Sequence, residues 1–253
     1  MNLVHPPHFP VRLPAEPSFT CENTMTQAPP ALIRETFPVG PLQCNCTLIG
    51  DPLTKKAMVV DPGGDVDKIL ARLQVHGLTL VSIIHTHAHF DHFLASGKLK
   101  ELTGATLHLH KDDQMLWDNL EMQCQMFGVP YTPVPAPDRW LGDDEELACG
   151  CGVALHTPGH TPGSMSFWFA DAKLLIAGDT LFRRGIGRTD LWGGDQRAIV
   201  RSIKERARHP FGRRDAGKPI RACLMAHEGT FMEFFVADAF QGWHRTLWDL
   251  PHL

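Results

Sequence analysis

The sequence predicts an α/β sandwich of two mixed β-sheets flanked by helices. Three observations lead there. Short apolar strands alternate with helical stretches along most of the chain, which points to layered α/β architecture. Some neighbouring strands are joined by turns too short for a crossover helix, so the sheets are mixed rather than purely parallel. The chain has 253 residues, 43% of them apolar, enough for one sizeable core.

Residues 1–30 carry seven prolines and no uninterrupted apolar run, and read as a disordered leader. Met25 near its end is a candidate start. The ordered domain is expected over residues 31–253. Gln43–Ile49 and Lys56–Val60 read as strands joined through Gly50-Asp51-Pro52-Leu53, the second closed by Asp61-Pro62-Gly63-Gly64. Asp65 then caps a helix to about His76, with Val66, Ile69, Leu70 and Leu73 on one face and Gly77 ending it. Leu80–Ile84 is a buried strand, Phe93–Leu102 a helix closed by Gly104, and Thr106–Leu109 a strand. Lys111–Phe127 reads as one long helix, followed by a proline-rich connection over Tyr131–Pro137. Val153–His156, Ser164–Phe169 and Lys173–Ile176 read as strands, and Asp195–Ala207 as a helix capped by Asp195. Ile220–Met225 is a last strand, with a helix-like tail from Phe231.

Net charge is −4 and basic residues form no long run, which argues against a nucleic-acid footprint. No apolar stretch approaches the roughly 20 residues of a membrane span. The seven cysteines are odd in number, and neither Cys44/Cys46 nor Cys149/Cys151 has CxxC spacing, so reduced, mostly buried thiols in a cytoplasmic protein are expected.

The chemistry is concentrated in the fifteen histidines. Ile84-His85-Thr86-His87-Ala88-His89-Phe90-Asp91-His92 follows a buried strand and leads into a helix, so its side chains project from a loop at the sheet edge. On an extended backbone His87 and His89 point the same way. Imidazoles beside a carboxylate suit zinc, iron, manganese or nickel better than calcium. Three further ligand-type residues also follow apolar strands: His160 in Thr157-Pro158-Gly159-His160-Thr161-Pro162-Gly163-Ser164, Asp179 in Ala177-Gly178-Asp179-Thr180, and His227 in Ala226-His227-Glu228.

This set of motifs, HxHxDH, TPGHTPGS, AGDTLF and a late histidine, resembles the metallo-β-lactamase superfamily. Val59-Val60-Asp61-Pro62-Gly63-Gly64-Asp65 and Gly187-Arg188-Thr189-Asp190-Leu191-Trp192-Gly193-Gly194-Asp195 are similar to the short, single-domain glyoxalase-II-like hydrolases, the hydroxyacylglutathione hydrolase relatives that lack a C-terminal helical domain. The likeness runs from about Leu32 to about Ala207. The segment 211–253 diverges, and His227 lacks the PGHGP surroundings expected there. The resemblance implies the αββα fold and a site for two divalent ions, zinc first and iron or manganese as alternatives. His87, His89 and His160 would hold one ion. Asp91, His92 and His227 would hold the other, with Asp179 shared. Asp91 would also orient the nucleophile. The implied reaction is hydrolysis of a small thioester of the hydroxyacylglutathione kind, with Arg183 and Arg188 available to a substrate carboxylate.

Asp61 is a candidate for orienting a ligand imidazole from behind, and His85 for packing or a similar supporting role. Trp192 reads as a packing residue, with lining an entrance as the alternative. Two other readings stay open: a mononuclear iron persulfide dioxygenase using His87, His160 and Asp179, and a metal-depleted binding module. The sequence leaves the oligomeric state open.

Overall fold

A computed structural model describes residues 31–148, 152–182, 185–207, 221–223 and 233–235. The leader, Cys149, Cys151, Arg183, His227 and most of the segment 211–253 lie outside the described residues. The strands are β1 Ile33–Val39, β2 Cys44–Gly50, β3 Lys56–Val60, β4 Thr79–Ile84, β5 Thr106–Leu109, β6 Arg139–Trp140, β7 Glu145–Glu146, β8 Val153–His156, β9 Met165–Phe169, β10 Leu174–Ile176, β11 Leu181–Phe182, β12 Gly185–Ile186, β13 Arg221–Cys223 and β14 Glu233–Phe235. The helices are α1 Val66–Val75, α2 Ser96–Thr103, α3 Gln114–Asp118, α4 Leu120–Phe127 and α5 Gln196–Ser202.

Two six-stranded mixed sheets stack face to face. One runs β1-β2-β3-β4-β5-β6, antiparallel over its first three strands and parallel from β3 onward. The other runs β14-β13-β10-β9-β8-β7, antiparallel except between β10 and β13. A β11-β12 hairpin stands apart.

The two-residue period of a strand sends alternate side chains to opposite faces, and here it sorts the core into three layers. Ile49, Met58, Val60 and Ile84 meet Ala154, Met165, Phe167, Leu174 and Ile176 between the sheets. Their neighbours Leu48, Val59 and Ile83 face outward with Ile69 and Leu73 of α1 and Leu99 of α2. On the far side Leu155, Leu175 and Ala177 pack with Ile199 of α5 and Ile203. The architecture is therefore the αββα sandwich expected.

Several local expectations need correction. Asp65 precedes α1 but has φ 50°, a left-handed conformation that turns its carboxylate away from the helix. Its Oδ2 instead accepts from the Gly40 amide at 3.1 Å. The predicted helix 111–127 is split at Asn119, whose Nδ2 donates to the Met115 carbonyl at 2.7 Å and competes for a helical acceptor. Phe90–His92 forms a 3-10 turn and α2 begins only at Ser96, because the Ala95 amide donates to the Pro62 carbonyl. Glu233–Phe235 is a strand, not part of a helix-like tail. β1 was not expected: it is an edge strand that tolerates Pro38, and its alternation is imperfect.

Asp195 caps α5 as expected, its Oδ1 accepting from the amides of Arg197 and Ala198 at 2.8 and 2.9 Å. The Asp195 amide in turn donates to the Gly159 carbonyl, docking α5 on the TPGHTPGS loop. At Gly159 φ is +137°, and a Cβ there would overlap the backbone of Ile199. Gly159→Ala is expected to destabilise the protein by at least the roughly 1–3 kcal/mol of a strained backbone. Urea denaturation of the two proteins measures it.

Candidate metal centre

The site lies where loops from both sheets meet. His87, His89, Asp91 and His92 follow β4, His160 stands between β8 and β9, and Asp179 follows β10. A backbone hydrogen bond from the Met165 amide to the Thr86 carbonyl, 2.7 Å, joins the two sheets beside it.

The hydrogen bonds behind the imidazoles decide where their lone pairs point. The Thr86 hydroxyl gives its single proton to Asp61 Oδ2 at 2.6 Å. It can therefore only accept from His87 Nδ1, 3.1 Å away, and His87 Nε2 is left with a lone pair. His160 Nδ1 lies 2.8 Å from the Arg188 carbonyl, which can only accept, so His160 Nε2 is also a lone pair. These two Nε2 atoms face each other at 3.2 Å, and His89 Nδ1 lies 2.9 Å from His160 Nε2. Two facing lone pairs repel, and a cation among the three nitrogens removes the repulsion.

A second set adjoins the first. His92 Nδ1 is 3.0 Å from Asp61 Oδ2, and its Nε2 is 3.6 Å from both Asp91 Oδ2 and Asp179 Oδ1. The other oxygen of Asp179 is 3.5 Å from His160 Nε2. Asp179 thus faces both sets, as a shared ligand must. The donor chemistry, neutral imidazoles with carboxylates, fits a pair of divalent transition-metal ions.

The electrostatics agree. Burial, then the neighbouring imidazoles, drives the pKa values of His87 and His89 well below the ordinary range and keeps both rings neutral. Burial also disfavours charge on His92, yet Cys44 first and then Asp91, Asp61 and Asp179 around it lift its pKa well above that range. The space between these carboxylates therefore favours positive charge. Cys44 Sγ, 3.6 Å from His92 Nδ1, is a neutral thiol because burial pushes its pKa up to about 12.

Asp61 supports the site from behind as expected. Its Oδ1 accepts from the Thr86 amide at 2.7 Å, while Oδ2 serves the Thr86 hydroxyl and His92. It does so at φ 53°, a conformation uncommon outside glycine. His85 has a packing role. It spans the His108 carbonyl and the Ser96 hydroxyl, both at 2.7 Å, packs edge-on to Trp117, and burial lowers its pKa to about 4. Arg188 is exposed and forms a two-point ion pair with Asp190, at 2.7 and 2.8 Å. Trp192 lines a cleft beside His89.

Two supporting residues were missed. Asp113, fully buried, accepts from the Ala88 amide at 3.0 Å, the Thr161 hydroxyl at 2.8 Å and the Gly163 amide at 2.6 Å. It thereby clamps the His87–His89 loop to the His160 loop. Gln123 holds the same first loop through the Phe90 amide and the Ala88 carbonyl. Nothing in the sequence separates Asp113 from its exposed neighbour Asp112.

The family assignment follows from comparison with known proteins. Residues 39–227 match the model described as "Metallo-beta-lactamase superfamily". The chain belongs to this superfamily. That match extends to His227. The hydroxyacylglutathione hydrolase GloC of Haemophilus influenzae is 37% identical over 174 residues, covering 67% of this chain and 82% of that protein. The probable metallo-hydrolase YqgX of Bacillus subtilis is 41% identical over 175 residues, with coverage of 67% and 81%. Among solved structures, TTHA1623 in a di-iron-bound form superposes with a TM-score of 0.69 at 29% identity, covering 82% of this chain and 97% of that one. The superfamily member described here is a metal-dependent hydrolase.

Two substitutions probe the supports. Asp61→Ala should weaken metal binding roughly 10–100-fold, read by competition with a chromogenic chelator. Asp113→Ala leaves the buried amides of Ala88 and Gly163 unpaired and should cost about 2 kcal/mol or more in urea denaturation. Asp112→Ala should stay within about 0.5 kcal/mol of the parent protein.

Proposed function

We propose that the enzyme hydrolyses thioesters, hydroxyacylglutathione-like substrates among them, at a centre for two divalent ions. The observation that carries this reading is the position of Asp179, with one oxygen toward the His87/His89/His160 nitrogens and the other toward His92. In the proposed assignment His87, His89 and His160 hold one ion. Asp91 and His92 hold the second, Asp179 is shared, and His227 completes the second set. Zinc is the first choice; the di-iron form of TTHA1623 keeps iron in view, with manganese behind.

Bound divalent ions supply Lewis acidity and lower the pKa of a water to about 7, so that hydroxide is available at neutral pH. The chain's own groups do the rest. Asp91, with a side chain only 15% exposed, accepts a hydrogen bond from the attacking water and orients it. The His87 and His160 rings are held rigidly by Thr86 and the Arg188 carbonyl, so the site needs little rearrangement as charge develops on the carbonyl oxygen. The thiolate leaves without needing a proton at neutral pH, and with no GxSxG elbow in the sequence the nucleophile is water rather than a serine. Arg188 is the candidate to meet a carboxylate of the thiol carrier, and Arg183, outside the described residues, is a second candidate from the sequence alone. The exposed Arg188–Asp190 pair exchanges for a substrate carboxylate at little cost.

The name of the Haemophilus influenzae relative supports the substrate class. The free, buried thiols of Cys44, Cys46 and Cys124 support a reducing compartment such as the cytoplasm. No helix among the described residues is long and apolar enough to cross a membrane.

Elemental analysis of protein purified without added metal should find about two transition-metal ions per chain. The metal-loaded protein should hydrolyse S-lactoylglutathione, and His87→Ala should lose metal and fall to the no-enzyme rate. A parent rate indistinguishable from buffer removes that substrate. One iron per chain with oxygen uptake on a persulfide would move the assignment to a dioxygenase.

A further inference from the structure

On one side of His89 lies a shallow cleft, partly open to solvent. Its walls are Leu116, Met126, Phe127, Leu191 and Trp192, and His89 and Gln123 supply its polar atoms. Gln123 has no proton left to donate to a ligand and is itself buried. Its Oε1 accepts from the Phe90 amide, and its Nε2 donates to the carbonyls of Ala88 and Leu116, at 3.0, 3.1 and 2.7 Å. Among the described residues the lining holds no Asp, Glu, Lys or Arg. Large apolar groups are left open to solvent around it: Met126 is 61% exposed, Phe127 49% and Trp192 37%. Phe127 is held in place against Phe90, ring centroids 4.8 Å apart.

We infer that this cleft receives the acyl group of the substrate and selects an apolar one, alkyl or aryl, over a 2-hydroxyacyl group. The inference rests on the thioester reading above and refines it. His89 belongs both to the metal centre and to the cleft, so the cleft begins beside the reacting carbonyl. A charged thiol carrier gains no countercharge among these walls and loses its hydration there. An alkyl or aryl group loses nothing and covers the open faces of Phe127 and Trp192. A hydroxyl on the carbon next to the carbonyl gives up water among walls that are mostly carbon, with both amide protons of Gln123 already donated elsewhere.

Thioesters of N-acetylcysteamine provide the test, because the carrier is neutral and constant. Lactoyl and isobutyryl groups differ only in a hydroxyl for a methyl; hexanoyl and phenylacetyl extend the apolar series. With each kcat/KM normalised to the alkaline hydrolysis rate of the same compound, isobutyryl should exceed lactoyl. Hexanoyl and phenylacetyl should exceed isobutyryl by roughly tenfold or more. Trp192→Ala and Phe127→Ala should flatten the series to within about threefold, with metal content measured on each variant to check the site. A second arm needs no turnover: calorimetric binding of propionate, hexanoate and phenylacetate to the metal-loaded protein. Phenylacetate should bind roughly tenfold more tightly than propionate, and Trp192→Ala should erase the difference.

Lactoyl thioester turned over as fast as phenylacetyl, or propionate bound as tightly as phenylacetate, overturns the inference and leaves the thioesterase reading standing. No turnover of any thioester, with the preference for phenylacetate intact and dependent on Trp192, overturns the thioesterase reading and supports the assignment of the cleft.

Discussion

A neutral imidazole offers its lone pair in one direction only, and that direction is set by where the ring holds its proton. The site depends on this constraint. Asp61 draws the Thr86 hydroxyl proton to itself, the hydroxyl then holds His87 Nδ1, and the same carboxylate holds His92 Nδ1. A backbone carbonyl at Arg188 does the equivalent for His160. The inward nitrogens of His87 and His160 are thus committed before any ion arrives. That arrangement puts lone pairs face to face, an unfavourable state that the fold must hold in place.

Much of the surrounding backbone geometry serves this purpose. Asp61 sits at positive φ, and at Gly187 a Cβ would overlap the Asp179 carbonyl and crowd His160 Nδ1. The GRTD segment, legible in sequence only as a likeness, gains a physical meaning here. Its glycine lets the chain pass close against the backbone carbonyl of Asp179, and its arginine contributes a main-chain oxygen as well as a side chain. Asp113 adds an anionic clamp whose oxygens are taken up by two amides and a hydroxyl. Desolvation, its largest influence, raises the Asp113 pKa even against those hydrogen bonds.

How much of this was readable beforehand differs by kind of residue. The ligand-type residues announced themselves, because histidines and aspartates placed after apolar strands have few other reasons to cluster. The layers were readable because β3 and β4 are short apolar runs, buried on both faces and bounded by turn residues. What failed was local competition. Asn119 broke a stretch that reads as helix, since its side chain captured a backbone acceptor. Asp65 occupied a cap position with the wrong backbone angle. The two-residue strands β6, β7, β11 and β12 are too short to carry any period. Asp113 and Gln123 were illegible for a different reason: their roles come from tertiary contacts with loops far away in sequence.

The sheets each bring only part of the coordination set: four candidate ligands come from the loop after β4, and His160 and Asp179 from the opposite sheet. A cation held by the full set would sit across the seam between the two halves. Once made, the bond works like a rivet through the seam, so that removing the ion loosens the contact between the halves as well as stopping the chemistry.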